Sequence, residues 1–222
     1  MTTSLTRRRA ISLGLGTGAA IALTSSLPAQ AASASVKERT WSKPKSQNDW
    51  PILDSAPKYR VEGANVEVSL AKGDVATVLL YVARRYAYEI DMLRAGDLKG
   101  YTNRTQVAAA FESNYLSGTA LAIRPLYYPL GADVKNTGMG EADRTVVADI
   151  LADCEGVVAW GGELKPVKQS HFEIAVRPGD PRLKALADRI LDWHETPGRG
   201  AGAIDAFEPA RIRRSKKAAK TR

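Results

Sequence analysis

Glu112-Ser113-Asn114-Tyr115-Leu116-Ser117-Gly118-Thr119-Ala120-Leu121-Ala122 is the stretch from which this chain is read, together with Trp160-Gly161-Gly162 and Ser170-His171-Phe172-Glu173-Ile174 further on. Ala120 to Arg124, Val157 to Trp160 and His171 to Val176 are short apolar runs predicted as strands. Alternation along a strand puts His171 and Glu173 on the same face, where the carboxylate can hydrogen-bond the imidazole. Ser113 and Gly118 suit a backbone turn between the runs. Trp160 and Phe172 suit the core or a cleft wall.

Working outward, Ala64 to Leu70 alternates as another short strand. Gly73-Asp74 opens a helical pattern, with Asp74 expected as N-cap and Val75, Val78, Leu79, Val82 and Tyr86 on its inner face. Tyr88 to Leu93 is expected as a strand, ending in a turn at Ala95-Gly96-Asp97. A second helix is expected from Asp143, burying Val146, Val147, Ile150 and Leu151. The last begins at Asp180-Pro181, with Leu183, Leu186, Ile190 and Leu191 facing inward. Scattered strands between separate helices predict an α+β domain, a small mainly antiparallel sheet with flanking helices.

The two ends differ from the middle. Arg7-Arg8-Arg9, an uncharged run from Ile11 to Leu27 and Ala29-Gln30-Ala31 have the order of a cleaved export signal, and the consecutive arginines suit the twin-arginine route. Residues 1–31 are therefore expected to leave, with no membrane span remaining and the mature protein secreted or held at a cell wall. Residues 32–62 form an irregular arm whose Trp41 and Trp50 can pin onto the domain, 63–197 the domain itself, and 198–222 a flexible basic tail after Gly198, Gly200 and Gly202. The net charge of +8 belongs to these ends: residues 10–210 carry −2. A nucleic-acid surface is not indicated. Such a tail is either solvated or adheres to anionic wall polymers. Cys154 is the single cysteine, so no internal disulfide forms, and it reads as a core residue.

The framework Ser113-x-Tyr115-x-x-Gly118-x-Ala120-x-Ala122, the Trp160-Gly161-Gly162 block and His171, with Gly100-Tyr101 ahead of them, resemble the zinc D-Ala-D-Ala carboxypeptidases and L-alanyl-D-glutamate endopeptidases. These share a Hedgehog/DD-peptidase-like core, which the resemblance extends over residues 73–176. The family's first zinc histidine falls on Tyr115, its aspartate ligand on Ala122 and its catalytic carboxylate on Lys168. Only His171 keeps its role. A catalytic zinc needs three protein ligands and an open position. Alanine has no lone pair, and a protonated lysine cannot be the general base.

The expectation is a pseudoenzyme without a metal cofactor, keeping a cleft for peptidoglycan or its stem peptide. Ser113, Tyr115, Trp160, Lys168, His171 and Glu173 are the candidate lining, and the Lys168 ammonium is a candidate counterion for a peptide carboxylate. Two alternatives stay open: a zinc peptidase with an atypical ligand set, and a structural or partner-binding module whose cleft Tyr115 fills. A filled cleft predicts Tyr115 buried with Lys168 pointing away from it. His194, the other histidine, is expected to cap a helix C-terminus or face solvent.

Overall fold

The computed structural model describes residues 37–132, 135 and 137–221; the expected signal peptide lies outside them. Along the chain run β1 (Arg39–Thr40), β2 (Lys58–Val61), β3 (Val66–Ser69), α1 (Asp74–Glu89), β4 (Leu98–Lys99), β5 (Gln106–Val107), a 3-10 turn (Ala110–Tyr115) and β6 (Ala120–Ile123). There follow α2 (Glu141–Asp153), β7 (Val158–Trp160), β8 (His171–Ile174), α3 (Pro181–Glu195) and α4 (Pro209–Ala219). The α+β class and the small antiparallel sheet are as expected. The main sheet has the order β4-β6-β8-β7, and β1-β5 and β2-β3 are separate pairs.

One register places the site. Ile123 N donates to Ser170 O and Ile174 N to Thr119 O, which leaves the facing pairs Ala122–His171 and Ala120–Glu173 at non-hydrogen-bonded positions. Side chains come closest there. Leu121, Ile123, Phe172 and Ile174 point to the opposite face and join Val82, Ile150 and Leu186 in the core. Every residue of β6 and β8 is buried, because helices cover one face and the 3-10 turn covers the other.

Several local expectations change. Gly73, at φ 81°, is the N-cap of α1, and Asp74 is its first residue, set against the positive end of the helix. The strand expected over Tyr88 to Leu93 does not form. The helix runs to Glu89, whose carboxylate grips Arg85 one turn back (Nη2 to Oε2 2.7 Å). Glu141, not Asp143, opens α2. Asp180 caps α3 by accepting from Arg182 N at 2.9 Å, but Leu191 faces outward, 51% exposed.

The largest difference is at the C-terminal end, where part of the expected flexible tail is α4. Arg85, fully buried on α1, donates to Asp149 (2.7 Å) and Asp153 (2.6 Å) of α2, and Tyr81 Oη also donates to Asp153 (2.8 Å). One arginine cannot neutralise both carboxylates and Glu89 as well. From α4, Arg211 reaches both aspartates at 2.7 Å, and Arg214 bonds Asp153. Burial alone raises the Asp153 carboxyl, yet Arg85, Arg211 and Arg214 together hold it below the usual aspartate range. The helix docks because two of its cations, Arg211 and Arg214, find buried partners.

The expected arm is pinned, though by one tryptophan only. Trp50 Nε1 donates to Val176 O at 2.9 Å and packs on the core. Trp41 stays partly exposed beside Arg39 and Lys43. Cys154 is fully buried, as expected. Among the described residues no helix is long and apolar enough to cross a membrane.

Candidate functional site

The 3-10 turn lays its last residue, Tyr115, across β6. Its ring forms a small apolar cluster with Ala120 and Ala122: two methyl-sized side chains leave the space that a phenol fills. Gly118 supports the turn in the left-handed region (φ 66°), where an added Cβ would lie 2.6 Å from Ala71 N. On the other side, the loop between β7 and β8 folds back over Gly161. A Cβ at Gly161 would stand 2.2 Å from Lys168 O and 2.8 Å from His171 Cβ. That close approach brings Lys168 over the site.

Three of the sequence-predicted residues meet in one buried line. Tyr115 Oη and His171 Nδ1 are 2.7 Å apart, and His171 Nε2 is 2.7 Å from Glu173 Oε2. Burial holds His171 below the usual imidazole range, against the opposing pull of Glu173, so the ring is neutral near pH 7. Burial likewise lifts the Tyr115 phenol well above its ordinary value, so it keeps its proton. These states assign the line: Tyr115 O–H donates to Nδ1, and Nε2–H donates to Glu173.

The line continues through residues that sequence reasoning did not single out. Asn114 Nδ2 donates to the same Glu173 oxygen at 2.6 Å, and Asn48 N donates to Asn114 Oδ1 at 3.3 Å. Asn48 Nδ2 in turn binds Ile174 O at 2.7 Å and Thr119 Oγ1 at 3.0 Å. Asn114 was in view as the polar residue preceding Tyr115 in the stretch Glu112 to Ala122. No local pattern marks Asn48, because the partners that join it to this line, Asn114, Thr119 and Ile174, lie far along the chain.

Lys168 does not point away. Its Nζ sits 5.0 Å from the Tyr115 ring centroid and 2.6 Å from Glu112 Oε1. Glu112, also missed, accepts from the amides of Ala108 (2.8 Å) and Ala109 (3.3 Å) through its other oxygen. Burial would raise its carboxyl, but the Lys168 charge and these bonds carry it below the usual glutamate range. Lys168 therefore already has its counterion.

Tyr115, Lys168 and Glu112 line a groove of about 510 Å³ together with Lys99, Tyr101, Arg104 and Gln106. Of the predicted lining, only Tyr115 and Lys168 reach this groove. Ser113 is fully buried, accepting from Gln47 N and donating to Ala110 O. Trp160 lies in the core, its indole donating to Gln169 O. His171 and Glu173 lie beneath Tyr115 and are also buried. His194 is on the surface near Arg84 and Glu62.

These residues do not fit a zinc ion. Both nitrogens of His171 are engaged in hydrogen bonds, Tyr115 is held as a donor, and Ala122 offers nothing. Among the described residues no three of His, Cys, Asp and Glu are grouped to hold a metal. The chain matches no family model, no curated protein and no solved structure.

Proposed function

We propose that this protein is an exported, non-catalytic binding protein of the bacterial cell wall, with a peptide or peptidoglycan groove derived from a DD-peptidase-like fold. The observation that carries this reading is the convergence of Tyr115, Ala122, His171 and Lys168 on one spot, three of them lining a groove and His171 beneath them. These are the four positions at which the resembling family holds its metal and its catalytic carboxylate. Here the phenol occupies that spot, and its polar neighbours satisfy one another. The groove lining combines the exposed donors Lys99, Arg104 and Gln106 with the tyrosines Tyr101 and Tyr115, a mixture suited to an extended polar peptide.

The expected role of Lys168 narrows on this geometry. A peptide carboxylate reaching its ammonium competes with Glu112, already at 2.6 Å. The ligand therefore either displaces that pair or binds further along, at Tyr101 and Arg104. Calorimetric titration of the protein with a muropeptide stem separates these cases. Weaker binding to Lys168→Ala is expected if the pair opens, and weaker binding to Tyr101→Ala in either case. Full-strength binding to both variants sinks the groove reading. Tight, stoichiometric zinc retained after desalting overturns the non-catalytic one.

A further inference from the structure

The helix α4 has two cationic faces with different fates. At 100° per residue, Arg211, Arg214, Ser215 and Ala218 share one side. Arg211 and Arg214 of that side are committed to Asp149 and Asp153, and Ser215 is the buried residue of the helix. The opposite side carries Arg213, Lys216 and Lys217, with Lys220 at the cap, in the spacing i, i+3, i+4, i+7. All four are exposed. Pro209 to Ala219 contains no acidic residue, and none of the four cations takes part in an ion pair among the described residues.

We infer that this outer stripe is a docking face for a linear phosphate polymer without bases. The buried carboxylates hold the helix in place through its inner face, so the outer cations are presented as a fixed row instead of a loose tail. Arg213 to Lys220 spans about 10 Å at the helical rise, roughly one screening length in physiological salt, so the four charges act together. A single anion meets only one or two of them and gains little, whereas a polyanion gathers the whole row and releases its own counterions. The stripe carries no aromatic side chain on which bases could stack, which favours a polymer of phosphates alone. This inference does not depend on the groove.

The test uses the full-length protein and long-chain inorganic polyphosphate, with binding measured across a salt series. A quadruple variant, Arg213→Ala with Lys216→Ala, Lys217→Ala and Lys220→Ala, should lose at least tenfold in affinity at low salt. Its log–log salt slope should fall by about 3, the value for four phosphate contacts on a flexible strand. A charge-matched control removes the exposed Lys37, Lys43, Lys45 and Lys58 and should keep the wild-type slope. Unchanged helicity in both variants shows that the fold survives. Equal losses in the two variants overturn the proposal, as does absence of binding by the wild type in low salt. So does tighter binding to single-stranded DNA than to polyphosphate of equal charge. The stem-peptide titration reports on the groove separately.

Discussion

Replacing Tyr115 by Phe tests the buried line at its outer end. The ring, its packing on Ala120 and Ala122 and the helical turn are all kept; only the hydroxyl at 2.7 Å from His171 Nδ1 is lost. The imidazole nitrogen is fully buried, so no solvent replaces the donor. An unsatisfied buried acceptor costs about 1–3 kcal/mol, more than the net value of an ordinary hydrogen bond. For a domain of this size that corresponds to a fall in Tm of roughly 2–12 °C. Urea unfolding followed by tryptophan fluorescence measures the free energy directly. Nitrogen chemical shifts of His171 should show a proton on Nε2 and none on Nδ1 in the wild type. A cost below about 0.5 kcal/mol, within the range of an ordinary surface substitution, or a proton on Nδ1, refutes the assignment.

The same histidine sets a pH dependence. Its folded-state pKa is depressed, so the unfolded chain takes up a proton more readily than the folded one. The stability involved is fully present above the unfolded value, about 6.5, and is lost as pH falls below it. Wild-type stability should therefore decline from about pH 6.5 downward, and His171→Gln should flatten that part of the curve. Arg85→Leu leaves three carboxylates on a reduced set of cations and should cost about 3–5 kcal/mol, measured by the same unfolding assay; a loss under about 1 kcal/mol would mean that Arg211 and Arg214 suffice. Lysine in place of both Arg7 and Arg8 should hold the precursor in the cytoplasm if export uses the twin-arginine route, and pulse-chase fractionation reads this out.

Much of the sheet face was legible because it obeys a local rule. Alternation in His171-Phe172-Glu173-Ile174 assigns two residues to the core and two to the site, and the structure places them so. The cleft lining was legible only in part. Ser113 and Trp160 sit beside the turn and the glycine pair that decide the reading of the sequence, but whether such a residue lines a groove or fills the core depends on how the turn and the loop fold back. The fate of the basic run was the least legible. Seven cations in the last twelve residues fit a solvated tail, and the partners of two of them, Arg211 and Arg214, lie about sixty residues away on α2. A trace was nonetheless present: Arg85 follows Val78 and Val82 on the inner face of α1, and Asp149 and Asp153, one turn apart, flank Ile150 in α2. Three charges on inward faces required partners that pairing among themselves could not fully supply.

The fit between Tyr115, Ala120, Ala122 and His171 also bears on how the sequence can drift over time. A smaller residue at 115 opens a cavity over the two alanines, a larger one at 122 strikes the phenol ring, and loss of either partner of the 2.7 Å bond strands the other. Each choice is conditional on the others, so single steps are penalised where paired steps are not. In any set of relatives these positions should change together or not at all, and such interlocking acts as a ratchet: once assembled, the arrangement resists replacement one substitution at a time.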